Sequence, residues 1–275
     1  MAIPHSFVWP LCKCAMLAAC IRSLDVVPPE FDFREMVLAI QTRLVEYKDG
    51  DVLLEGYLAW DDTNADKRPG VLIAHAWAGR SEFEEGKARS IAELGYTGFA
   101  LDLYGKGVRG NNAEENGALM QPLLDDRKML QRRMLLALEQ IRKLEIVDAA
   151  RIAAMGFCFG GLSVLDLART GAELSGVASF HGLFNPPGNT GGNRILAKVL
   201  VMHGWDDPMA SPDQVLSLAD ELTKMEADWQ IHGYGNTMHA FTNPAANDPG
   251  FGTVYNAQAD RRSWQSLQLF LAEIF

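Results

Sequence analysis

At 275 residues, 48% hydrophobic and 22% charged, the chain has the make-up of a globular protein long enough to bury an extensive core. A formal net charge of −10 argues against nucleic acid or an anionic membrane surface as a partner, and leaves a small molecule as the expected one. The cysteines stand at Cys12, Cys14, Cys20 and Cys158, so no disulfide framework spans the sequence; Cys12-x-Cys14 lacks the second half of a zinc site, and no metal is expected.

In chain order, residues 7–21 are apolar but interrupted by Pro10 and Lys13, too short and too broken to span a membrane. Met16-Leu-Ala-Ala-Cys20 resembles the cleavage region of an exported protein, whereas Asp32-Phe-Arg-Glu-Met36 offers a second start of translation. Residues 1–30 are therefore expected to be a loosely attached, poorly ordered extension, followed by a single domain over residues 31–275. The expected location is the cytoplasm, whose reducing conditions keep Cys158 a free thiol; export is the alternative if the extension is a signal peptide.

From Thr42 onward, short β-rich runs alternate with helical patterns, which predicts a mostly parallel central sheet with helices on both faces. Residues 42–48 and 52–60 read as a hairpin around Asp49-Gly50-Asp51. The unbroken apolar run 71–76 reads as a strand covered on both faces. A helix over 83–94 ends at Gly95, and a strand follows over 97–103. Residues 105–117 read as a Gly/Asn-rich loop. Residues 125–144 read as a helix because Met129, Met134, Leu138 and Ile141 fall at helical spacing. Strands are then predicted over 151–156, 176–180, 199–203 and 229–234. Helices are predicted over 162–168, over 211–225 behind a Ser211-Pro212 start, and over 258–274.

The most informative stretch is Gly156-Phe157-Cys158-Phe159-Gly160-Gly161, which reads Gly-x-Cys-x-Gly between a strand and a helix. This is the pattern of a nucleophile elbow with cysteine in place of serine. The flanking glycines are needed because a Cβ on either side of so sharp a turn would strike the crossing backbone. A nucleophilic thiol needs a base, and the base needs an orienting carboxylate.

Six histidines compete for the first role. His5 lies in the N-terminal extension and His232 inside a strand. His75, His181 and His203 each end a strand, where hydrogen bonding between loops is the expected use. His239 alone stands in a loop beyond a strand-end acid. Of the adjacent Asp206 and Asp207, the spacing from Gly204 selects Asp207, and Asp206 is expected to stabilise the turn through its side chain. The backbone N–H groups of Phe159 and Trp77 are the expected oxyanion donors. His75, Ala76, Arg80 and His181 are the expected pocket-lining residues. No cofactor is expected.

Taken together, Cys158 in its elbow, Ala100-Leu-Asp-Leu-Tyr104 with Gly105, Phe180-His181-Gly182, the Asp207 loop and His239-Ala240-Phe241 resemble the dienelactone hydrolase (carboxymethylenebutenolidase-like) family of the α/β-hydrolase superfamily. The resemblance runs from about Thr42 to the last residue. It implies an α/β-hydrolase fold and a Cys158/Asp207/His239 triad that cleaves an ester, lactone or thioester through an acyl-cysteine. It also implies a glutamate in the loop after the third strand, where this chain has Ala76, and an arginine four residues beyond the histidine, where it has Asn243. Arg80, Arg109 and Arg127 are candidate replacement cations, with solvated surface charge the expected account of each. A catalytically silent binding protein on the same fold is the alternative. A glutaminase or DJ-1-like reading fits less well, because no glutamate follows His239 in the His-x-Glu spacing.

Overall fold

The computed structural model describes residues 40–63 and 65–275, and the expectation of an N-terminal extension over residues 1–30 lies outside the described residues. Within them the chain runs β1 (Ile40–Asp49), β2 (Val52–Asp61), β3 (Arg68–Ala74), α1 (Glu82–Glu93), β4 (Thr97–Ala100), α2 (Ala113–Asp125), α3 (Arg127–Arg142), β5 (Val147–Phe157) and α4 (Phe159–Arg169). It continues through β6 (Gly176–Phe180), β7 (Lys198–Gly204), α5 (Pro212–Lys224), β8 (Trp229–Tyr234), β9 (Asn247–Asp248), β10 (Thr253–Val254) and α6 (Ala257–Ile274). Eight strands form one sheet in the order β1-β2-β4-β3-β5-β6-β7-β8. Strand β2 runs antiparallel to both β1 and β4, and every other neighbouring pair is parallel.

The period-2 alternation of side chains divides the core between the two faces of this sheet. On β3, where all residues are buried, Leu72 and Ala74 face a layer holding Leu130, Met134 and Ile141 of α3 and Leu162 and Leu165 of α4. Val71 and Ile73 face the opposite layer, with Ile91 of α1 and Leu267, Phe270 and Leu271 of α6. Parallel strands covered on both faces need apolar residues throughout, which is why β3, β6 and β7 read so clearly from sequence.

Two elements depart from the sequence reading. Residues 105–117, read as a loop, include the start of α2. Asn112 caps that helix by accepting a bond from Glu115 N–H, and Pro122 lies within it. The four glycines of residues 105–117 and an internal proline mask the helical pattern, and only Asn116 and Leu123 of this helix are buried. The second departure is the hairpin of β9 and β10, whose strands of two residues each are too short to show any alternation. No helix among the described residues is long and apolar enough to cross a membrane.

Candidate active site

Cys158 stands between the last residue of β5 and the first of α4, at φ 56° and ψ −114°, a left-handed conformation that costs a non-glycine residue energy. Its N–H is held by Phe180 O at 3.0 Å and by His181 Nδ1 at 3.2 Å. The two flanking glycines are sterically required. A Cβ on Gly156 would lie 2.1 Å from Gly160 O, and one on Gly160 would lie 2.1 Å from Ala74 O. The elbow is thus wedged against the end of β3, and Cys158 is left half-buried on the wall of a cavity at the carboxyl ends of the parallel strands.

The loops after β7 and β8 meet beside it. Asp207 Oδ2 accepts a 2.7 Å hydrogen bond from His239 Nδ1, and both side chains are almost completely buried. The other carboxylate oxygen of Asp207 accepts from Met209 N–H at 2.8 Å, which fixes the carboxylate's orientation. Asp206 is exposed. It ties the two loops through its backbone, N–H to Thr237 O at 3.0 Å, so the side-chain turn bond expected of it falls to Asp207 instead.

His239 Nε2 is buried without a hydrogen-bond partner among the described residues, and His239 lines the same cavity as Cys158. Burial is the largest influence on this imidazole and lowers its pKa. The charge of Cys158 and the hydrogen bond to Asp207 together outweigh burial, and the pKa is raised to about 10. With no hydrogen bond at Nε2, we regard the coupling to Cys158 as chiefly Coulombic.

Of the other strand-end histidines, His75 and His181 hydrogen-bond to neighbouring segments as expected, whereas neither ring nitrogen of His203 has a hydrogen-bond partner among the described residues. His75 is fully buried and does not line the cavity; its Nδ1 pairs with Ala76 O at 2.6 Å and its Nε2 accepts from Leu103 N–H at 3.1 Å. His181 does line the cavity. Because its Nδ1 accepts from Cys158 N–H, its Nε2 must donate to Thr242 Oγ1 at 2.8 Å, and burial pushes its pKa well below the ordinary value. His203 is wholly buried against the edge of Phe184.

Arg80 also stays out of the cavity: it pairs with Glu55 and Glu85, the former at 3.0 Å. Arg127 is bonded to Asp166 and Arg109 is exposed, so none of the three candidate cations reaches the site.

The loop after β3 is tied at several points. Gly79 N–H donates to Ala76 O at 3.2 Å, and Tyr104 OH donates to Trp77 O at 2.9 Å. Trp77 N–H makes no backbone hydrogen bond among the described residues, and Phe159 opens α4, where N–H groups have no intrahelical acceptor. The sequence reading missed two contributors here. Glu84, 2% exposed, lines the cavity; its Oε1 accepts from Ala76 N–H at 3.3 Å, while its Oε2 accepts from Ser81 N–H and Oγ at 2.9 and 2.7 Å. The signal was present in Ser81-Glu-Phe-Glu84, a capping box at the start of α1.

The second contributor is the β9–β10 hairpin. Its Phe251 stacks on Trp77 with ring centroids 5.7 Å apart, and its Gly252 O accepts from His239 N–H at 3.0 Å. Gly252 has φ +82°, and a Cβ there would lie 2.1 Å from Pro208 Cγ, beside Asp207. Gly252→Ala is therefore expected to push the acid loop and the base apart. Activity should fall by about tenfold or more for a stability loss of only ~1–3 kcal/mol, measured by steady-state assay and thermal melt. Wild-type kcat in that variant would show that the hairpin does not set the geometry.

The fold agrees with comparison to known proteins. The profile of the Dienelactone hydrolase family matches residues 54–275. The chain belongs to the dienelactone hydrolase family. It is similar to the solved structure of m3DLH, 35% identical with a TM-score of 0.83, over 86% of this chain and 99% of that one. It is also similar to the dienelactone hydrolase-like promiscuous phosphotriesterase P91 from metagenomic libraries, 36% identical with a TM-score of 0.81 over the same shares. Protein K02A2.1 of Caenorhabditis elegans is 33% identical over 154 residues, covering 53% of this chain and 94% of that protein.

As a dienelactone hydrolase family member the chain has the α/β-hydrolase fold and is a hydrolase. Within this family member, the position where the resemblance implies a glutamate is Ala76, yet a carboxylate still reaches that backbone, supplied from α1 by Glu84.

Proposed function

We propose that the protein hydrolyses carboxylic esters, lactones or thioesters through an acyl-cysteine on Cys158, with His239 as base and acid and Asp207 as its orienting carboxylate. The observation that carries this reading is the buried Asp207–His239 hydrogen bond of 2.7 Å, with His239 lining the same cavity as the elbow cysteine. A cationic base beside a thiol favours the ionised, nucleophilic form of that thiol.

The Cys158 sulfur attacks the substrate carbonyl, and the carbonyl π electrons move to oxygen. The Phe159 and Trp77 N–H groups stabilise that oxyanion. The intermediate collapses by breaking the bond to the alkoxide, which takes the proton from His239 Nε2. Neutral His239 then removes a proton from water; the hydroxide attacks the acyl-cysteine, and the Cys158 thiolate leaves as the carboxylic acid is released. Ordinary ester hydrolysis needs nothing further.

Alkylation tests this reading. Iodoacetamide should remove turnover of phenyl acetate and of simple lactones in step with modification of Cys158, located by peptide mapping, and substrate should slow both. Full Cys158 alkylation with activity retained would overturn it. We also propose a cytoplasmic location, whose reducing conditions keep the Cys158 thiol usable, and a single-domain organisation.

A further inference from the structure

We infer that this site selects uncharged esters or lactones carrying an apolar, ring-sized group beside the scissile carbonyl, that it rejects substrates bearing a carboxylate, and that Glu84 is the residue that enforces the choice. The inference rests on the proposed hydrolysis at Cys158.

The cavity of about 250 Å³ is walled by Trp77, Phe83, Met120, Phe157, Leu183 and Phe251. Its aromatic members are paired. Trp77 stacks on Phe251 with 17° between planes, and Phe83 meets Phe157 edge-on at 5.0 Å. Such a wall offers dispersion and apolar burial to a planar or aliphatic group.

Among the described residues no lysine or arginine lines the cavity. Lys87 is spent over the rings of Phe83, Phe157 and Trp264, with its Nζ 5.0–5.7 Å from their centroids, and Arg80 faces Glu55 and Glu85. The one acidic side chain in the wall is Glu84. Its two oxygens accept three hydrogen bonds, and both N–H donors come from the loop that carries Trp77. A carboxylate-bearing substrate would lose its hydration in an apolar cavity, gain no cation from its wall, and face the carboxyl group of Glu84. An uncharged substrate meets none of these costs.

Phenyl acetate and 4-carboxyphenyl acetate form the test pair, each rate divided by its hydroxide-catalysed rate to remove intrinsic reactivity. The wild type should prefer the uncharged ester by about 100-fold in kcat/KM, a difference carried by like charges in a site of low effective dielectric. Glu84→Gln should narrow the preference by about tenfold. Asn243→Arg, which places a cation on the cavity wall, should narrow it independently by lowering KM for the charged ester alone. It carries the test by itself if Glu84→Gln fails to give a cooperative melt. Equal rates on both esters in the wild type, a ratio unmoved in a cooperatively folded Glu84→Gln, or a ratio unmoved in Asn243→Arg would overturn the inference while leaving Cys158 hydrolysis intact. Phenyl acetate turnover that survives Cys158→Ala would instead overturn the underlying reading.

Discussion

Replacing Cys158 with alanine is expected to reduce ester hydrolysis by about 10⁴-fold or more, the scale seen when a nucleophile that acts as a unit with its base is removed. The loss should fall on catalysis and not on folding. Both residues carry a Cβ at the strained φ of 56°, and the ties that shape the elbow, Cys158 N–H to Phe180 O and the Gly156–Gly160 approach, are backbone contacts that alanine preserves. A second readout separates the proposed thiolate–imidazolium pair from mere proximity. In the wild type the charge of Cys158 is the largest influence raising His239, against burial, which lowers it. Removing the sulfur leaves burial opposed by Asp207 alone. The His239 pKa should therefore fall from about 10 toward or below the ordinary histidine value, followed by NMR titration of the ring nitrogens. A pKa unmoved in Cys158→Ala would mean that Asp207 and not the thiolate sets it.

Asp207→Asn should be the second large effect, lowering kcat by about 10²–10⁴-fold with little change in KM. The reason is geometric. Met209 N–H donates to one oxygen of Asp207 and His239 Nδ1 to the other. An asparagine that keeps its carbonyl on Met209 N–H must turn its NH₂ toward Nδ1, forcing that nitrogen to accept and moving the ring proton to Nε2. His239 would then be neutral with its proton on the wrong nitrogen, unable to take one from Cys158 or water. The stability cost should be small because the hydrogen-bond count is unchanged. A kcat within about threefold of wild type would remove Asp207 from the proposed mechanism.

Much of this arrangement is legible in the sequence, for reasons that are local. The elbow declares itself because only glycine fits at positions 156 and 160, and the order Cys158, Asp207, His239 follows the strand ends. The central parallel strands declare themselves because burial on both faces favours apolar runs such as those over residues 71–74 and 199–202. What escaped notice depends on contacts between distant segments or on elements too short to carry a period. Arg80 looks available in sequence, and is consumed by Glu55, 25 residues away, a pairing set only when β2 packs beside the β3 loop. Glu84 was signalled by its capping box, but nothing local says that this cap faces the cavity. The Gly252 hairpin has strands of two residues, and its contacts with Pro208, His239 and Trp77 all arise from tertiary placement. His75 was expected in the pocket because it ends a strand, yet it bonds Leu103 N–H behind it.

The central claim is the covalent intermediate, and mass spectrometry of the working enzyme tests it most directly. Wild-type protein mixed with p-nitrophenyl acetate and quenched in acid during turnover should gain the mass of one acetyl group, located by peptide mapping on Cys158 and absent from Cys158→Ala. Turnover with no acyl group on Cys158, or with acylation of another residue that matches the turnover rate, would contradict the account.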